Sequence, residues 1–227
     1  MAYTVERTPI GIIGIDKLVS GGFEKDSANM IRGGTGTGKT IFSLQFLYTA
    51  LKSGKNAVYI SFGESKNAVY SHGKMFGWDF EKYEKKNMFG FLRYPPHEVA
   101  RVVEGGGGTI KDLIESLGAR SLVVDSLSAY AMPFQSEYAA NQSILDLFEM
   151  LRNLNCTTLV TSETGVSISD TETEKLGYLM DSIINLYYTT KNRKRTRFLE
   201  ILKMRNTNHS TSLHGYEITT KGIVIKS

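Results

Sequence analysis

Residues 33–40 read Gly-Gly-Thr-Gly-Thr-Gly-Lys-Thr, a full G-x-x-x-x-G-K-[ST] phosphate loop. A short apolar run, Ala28-Asn29-Met30-Ile31, enters it, and a Gly-free apolar segment, Ile41 to Leu51, leaves it. Strand, glycine loop and helix are the setting in which this motif binds phosphate. Gly33, Gly34, Gly36 and Gly38, interleaved with Thr35 and Thr37, let backbone N–H groups turn inward around phosphate oxygens. The helix opening at Lys39-Thr40-Ile41 points its positive end at the same anion. In such a loop the lysine, Lys39, reaches the β- and γ-phosphates and the Thr40 hydroxyl ligates Mg²⁺. A Gly-rich turn used for geometry alone has no need of Lys-Thr in register.

A phosphate loop needs a metal partner. Ser121-Leu122-Val123-Val124-Asp125 is an apolar strand ending in an acid, at the carboxyl end where open α/β sheets bind ligands. Asp125 is expected to hold Mg²⁺ through water, opposite Thr40. Hydrolysis also needs a group that orients or deprotonates water. Glu64, just past Val58-Tyr59-Ile60-Ser61-Phe62, is the candidate, although an acid there also suits the N-terminus of a following helix. Ser162, closing the run Thr157–Ser162, is a candidate γ-phosphate sensor or a plain loop serine.

Working outward, strands are expected at Ser27–Arg32, Ala57–Phe62, Phe89–Tyr94, Ser121–Leu127, Thr157–Ser162, Ser182–Thr189, Phe198–Met204, Gly215–Thr219 and Ile223–Lys226. Helices are expected at Lys39–Lys52, Lys66–Phe76, Thr109–Leu117 and Gln142–Leu154. The last carries the stripe Ile144, Leu147, Phe148, Leu151, Leu154 of a core-facing helix. The first two thirds alternate strand and helix, and runs such as Leu122-Val123-Val124 lack period-2 alternation, as buried parallel strands do. The last third is strand after strand, which predicts antiparallel hairpins extending one edge. Gly105–Gly108 follows no strand and lacks Lys-Thr, so it is a connector and no second phosphate site. One α/β domain over residues 1–227 is expected.

The 227 residues are 41% hydrophobic and 22% charged, an ordinary globular balance, and no apolar stretch approaches the ~20 residues of a membrane span. Met1–Arg7 has no signal-peptide apolar region, so a cytoplasmic location is expected. The single cysteine, Cys156, forms no internal disulfide and reads as a small buried residue. His72, His97, His209 and His214 lack Cys or acidic neighbours at metal-ligand spacing. The net charge of +4 suits an acidic ligand, and its densest part, Lys191–Arg197, reads as a hairpin tip.

Further motifs carry a resemblance. Thr8-Pro9-Ile10-Gly11, Gly14-Ile15-Asp16-Lys17-Leu18 and Gly21-Gly22 precede the loop. Val124-Asp125-Ser126-Leu127-Ser128-Ala129, Thr161-Ser162-Glu163 and Lys203-Met204-Arg205-Asn206-Thr207-Asn208-His209 follow it. Over nearly the whole chain this resembles the RecA superfamily and, within it, single-domain KaiC-like P-loop ATPases. The resemblance implies a RecA-like core: a mostly parallel twisted sheet flanked by helices, with C-terminal antiparallel hairpins. It implies ATP and Mg²⁺ as ligands and a homo-oligomer, typically a hexameric ring, with ATP between subunits. Lys203 and Arg205 would then act in trans on the γ-phosphate, and His209 would lie near the same interface. The alternative for Lys203 and Arg205 is an edge strand with both cations outward and Met204 inward.

Three departures from the family pattern matter. Where two acids commonly follow the second strand, this chain has Gly63-Glu64. Hydrolysis is therefore expected to be slow, or Glu64 substitutes from one residue further on. Gly177-Tyr178 stands where the clock protein carries its Ser-Thr phosphoacceptor pair, which argues against autophosphorylation of that type. The segments matching DNA-binding pore loops, Ser128–Asn141 and Thr164–Glu174, contain no Lys or Arg, and Asp170, Glu172 and Glu174 would repel a phosphate backbone. The expected function is an ATP-binding, ATP-hydrolysing oligomeric switch or motor. The alternatives are a nucleic-acid-binding paralogue, favoured only by Lys191–Arg197, and a weakly hydrolysing accessory subunit, favoured by Gly63.

Overall fold

The computed structural model of the protein describes residues 5–95, 98, 108–163, 177–191 and 193–226. The apolar runs without polar alternation form the middle of a nine-stranded sheet. Strands β3 (Ala28–Gly33), β4 (Ala57–Ser61), β5 (Phe89–Arg93), β6 (Ser121–Asp125), β7 (Thr157–Ser162) and β8 (Ser182–Lys191) run parallel. The meander β9 (Lys194–Met204), β10 (His214–Thr219) and β11 (Gly222–Ile225) extends it antiparallel. The order across the sheet is β11-β10-β9-β8-β3-β7-β6-β4-β5. A separate ribbon pairs β1 (Arg7–Thr8) with β2 (Phe23–Glu24), around a short α1 (Ile15–Leu18).

Alternation in the central strands separates two cores rather than core from solvent. Ile31, Tyr59, Val123 and Leu159 face α2 (Lys39–Lys52), α3 (Lys66–Met75) and α4 (Phe80–Glu84). Met30, Val58, Ile60, Leu122, Val124 and Val160 face α5 (Gly108–Leu117), α6 (Leu127–Ala131) and α7 (Glu137–Arg152). Both faces are covered, so every residue of β3, β4 and β7 is buried.

Several boundaries differ from the sequence expectation, each for a local reason. Helix α7 starts at Glu137 instead of Gln142 because Ser136 caps it, its hydroxyl accepting from Ala139 N at 3.1 Å. Strand β6 stops at Asp125, two residues early, because Ser126 caps α6 in the same way. Helices α1, α4 and α6 are too short to leave a periodic stripe. The expected basic tip narrows to residues 192–193, since Lys191 pairs with Lys194 and the strands continue on both sides. Asn192 lies outside the described residues, as do Gly105–Gly107. Strand β9 is not an edge strand: it lies between β8 and β10, although β10 covers only Arg197 to Leu199. The first expected pore segment, Ser128–Asn141, is largely helical, in α6 and the start of α7. The second, Thr164–Glu174, lies outside the described residues.

Candidate nucleotide site

The carboxyl ends of β3, β4, β6 and β7 open on a cavity of about 580 Å³. Thr35, Gly36, Gly38, Lys39, Thr40 and Ile41 form one wall, and Gly63, Glu64, Asp125 and Glu163 another. His72, Met75 and Phe76 of the α3 region complete it. The strand order places a crossover here, because β3 connects through α2 to β4 across β7 and β6. Open α/β sheets bind ligands at such a point.

Helices α3, α4, α6 and α7 each begin with a Ser or Asp side chain accepting a backbone N–H. Helix α2 begins at Gly38 (φ 97°) with no side-chain cap. The N–H groups of Lys39, Thr40 and Ile41 have no acceptor within the helix, which leaves a cluster of donors for an anion. The Lys39 side chain is 8% exposed. Its ammonium donates to the carbonyls of Gly33 (2.8 Å) and Gly34 (3.2 Å) and to the Glu163 carboxylate (3.4 Å). Gly33 lies in register with Leu186 of β8, and a Cβ added there would meet the Leu186 carbonyl oxygen at 2.5 Å.

Asp125 is fixed from three sides. Thr40 Oγ1 lies 3.3 Å from Oδ2, Thr161 Oγ1 donates to Oδ1 at 2.6 Å, and the Tyr59 hydroxyl donates to Oδ2. Burial first, and the Asp125 charge second, push Tyr59 well above its ordinary pKa, so it stays a donor. Thr40 and Asp125 offer a hydroxyl and a carboxylate at one spot on the cavity wall, a hard-oxygen pair that fits Mg²⁺. Glu64 also faces the cavity. His72 Nδ1 stands 3.3 Å from Glu64 Oε2 but off the hydrogen-bonding direction, so that buried oxygen has no hydrogen-bond partner among the described residues.

Other expected site residues fall elsewhere. Ser162 is buried on the opposite sheet face, with Val160, and Glu163 lines the cavity in its place. Lys203 donates to the carbonyls of Gly177 (3.1 Å) and Met180 (2.7 Å). Burial, and after it the Arg205 charge, lower its pKa. Arg205 bonds Asp181 Oδ1 (3.3 Å) and the Tyr178 carbonyl (2.9 Å). His209 meets the Ser210 carbonyl at 3.0 Å, in a segment whose Ser210 N–H bonds Leu18 O. Met204 pairs with Ser182 and Gly33 with Leu186, so along β8 the Lys203–Arg205 end lies four residues, ~13 Å, from the phosphate loop.

Tyr59, His72, Met75, Phe76, Thr161 and Glu163 were not singled out from sequence as site residues. Strand parity gives three of them away. Asp125, Tyr59, Thr161 and Glu163 share the α2-facing parity set by Val123 and Leu159, and Ser162 does not.

A family model described as "ATPase: KaiC" matches residues 8–227. The chain belongs to the KaiC ATPase family. A UPF0273 protein of Pyrococcus horikoshii is 30% identical over 96% of this chain and 93% of its own length. The circadian clock protein KaiC3 of Synechocystis is 28% identical over 97% of this chain, which spans 46% of that longer protein. The crystal structure of a KaiC-like protein from P. horikoshii superposes with a TM-score of 0.88 at 31% identity. It covers 99% of this chain and 100% of that one. The chain is thus a KaiC-like P-loop ATPase of the RecA superfamily, and its mostly parallel sheet with antiparallel C-terminal strands is the KaiC-like fold. No helix among the described residues is long and apolar enough to cross a membrane.

Proposed function

We propose that the protein binds Mg²⁺-ATP in this cavity, hydrolyses it, and works as an oligomeric nucleotide-driven switch. The observation that carries this is the convergence of Lys39, Thr40 and Asp125 beside the uncapped start of α2. The α2 amides and the Lys39 ammonium hold the triphosphate tail, and Thr40 with Asp125 would hold Mg²⁺. An ion held there would supply positive charge to offset that of the phosphates. Ile41, Met75 and Phe76 give the base an apolar wall. Glu64, facing the same space, orients the attacking water and takes its proton. Lys203 and Arg205, remote from their own chain's loop, neutralise γ-phosphate charge on the next subunit of a ring.

Turnover and binding, measured together, test the assignment. Lys39→Ala abolishes ATP binding. Glu64→Gln keeps binding and lowers kcat by about 100-fold, the low end of a general base's usual contribution. An unchanged kcat in Glu64→Gln removes Glu64 from the mechanism. Gly63 favours a second reading, a nucleotide-holding accessory subunit; it prevails if the native chain binds ATP tightly and turnover is negligible.

A further inference from the structure

A phosphate loop works only while its amides face the ligand and its carbonyls face away. Each carbonyl of the loop must then be satisfied by a group other than the ligand. Gly34 O receives the Thr37 hydroxyl at 2.8 Å, and Gly33 O receives Lys39. Thr37 O receives the hydroxyl of Tyr216, from β10. At the tip, Gly36 O accepts two bonds from one guanidinium: Arg197 of β9 donates through Nε at 3.2 Å and through Nη2 at 3.1 Å. Gly36 has φ +79° and no side chain of its own to hold its following peptide in place.

The clamp is itself held. The Arg197 guanidinium carbon lies 4.2 Å from the centroid of the Tyr188 ring, on β8. That ring also approaches Gly36, at 3.6 Å from the position of a Cβ built there. An aromatic face fixes the plane of an arginine fork, and the fork fixes the carbonyl. A lysine in its place offers a single, mobile point of contact.

We infer that Arg197, seated on Tyr188, is a positioning residue for the phosphate loop. It pins the Gly36–Thr37 peptide with its oxygen toward β9, which keeps this acceptor off the cavity side of Gly36, while the N–H of the same peptide, on Thr37, bonds Gly34 O at 3.4 Å. Arg197 does not line the cavity, and it acts on phosphate through Gly36. The inference rests on nucleotide binding at this loop.

Titration calorimetry with ATP, and with inorganic tripolyphosphate as a probe lacking base and sugar, tests it. Arg197→Ala is expected to weaken both ligands by about tenfold, with the melting temperature and the kcat of the saturated protein nearly unchanged. Arg197→Lys keeps the charge and loses the fork, so it should behave like Arg197→Ala. Tyr188→Phe keeps the ring and should match the native chain. Native affinity in Arg197→Lys means that charge alone matters and overturns the inference. A loss confined to ATP places Arg197 on the base or sugar and also overturns it. If the native chain binds neither ligand, the nucleotide assignment falls first and this inference with it. If the native chain binds and Arg197→Ala binds equally well, only the inference falls.

Discussion

The position before Glu64 is open at the level of single atoms. Gly63 is exposed, has an ordinary φ, and a Cβ built on it would meet nothing within 4 Å. It also lines the cavity, where the family commonly carries the first of two acids. Neither backbone strain nor packing therefore requires glycine there. Gly63→Glu should fold normally and raise kcat at saturating Mg²⁺-ATP, by about tenfold or more if the new carboxylate serves as the base. An unchanged kcat in a variant with native ATP affinity would show that this position does not reach the attacking water. Glu64 sits one residue on, with its buried oxygen unbonded and His72 beside it, which is a poorer arrangement for holding a base still.

At the scale of elements, the phosphate loop is wedged against β8 and leaves no slack at its first residue. Gly33→Ala puts a methyl group 2.5 Å from the Leu186 carbonyl oxygen and 2.9 Å from Thr37 Oγ1. Because β8 is pinned on both sides, by β3 and β9, it cannot retreat. Urea unfolding should show a loss of about 1–3 kcal/mol, the usual cost of overpacking, together with weaker ATP binding. A variant as stable as the native chain would mean that the strand pairing at Gly33 is looser than the register implies. The elements that build this wedge were legible in sequence because each carries its own local mark: the glycine spacing, the unbroken apolar strands, the α7 stripe. What was not legible depends on which strands become neighbours. Tyr59 reaches Asp125 only because β4 pairs with β6, and Thr161 only because β7 pairs with β6. Arg197 reaches Gly36 from 161 residues away because β9 folds back beside β8, next to the loop strand. Glu163 was within reach of sequence, since parity from Val160 turns Ser162 toward the α7 side and Glu163 toward α2.

At the scale of the whole molecule, β9 runs from the phosphate loop to the residues proposed above as fingers. Arg197 holds the chain's own phosphate loop, whereas Lys203 and Arg205 sit at the far end of the same strand, bonded to residues 177–181. In one chain those cations point to the amino ends of the parallel strands and the phosphate loop lies at the carboxyl ends. They can serve a γ-phosphate only if copies pack head to tail, each proposed finger end against the next loop end, a heterologous contact that forms a ring where the rotation between copies closes. Mixing two inactive variants tests this directly. Lys39→Ala has no working loop but an intact finger, and Arg205→Ala has the reverse. In randomly mixed rings roughly a quarter of interfaces join an intact loop to an intact finger, so ATPase activity should return to about that fraction of the native rate. The Arg205→Ala parent must first match the native chain in melting temperature and assembled mass, because Arg205 also bonds Asp181. If mixed oligomers form and hydrolysis stays at the level of the parents, Arg205 acts only within its own chain, as a brace for residues 178–181.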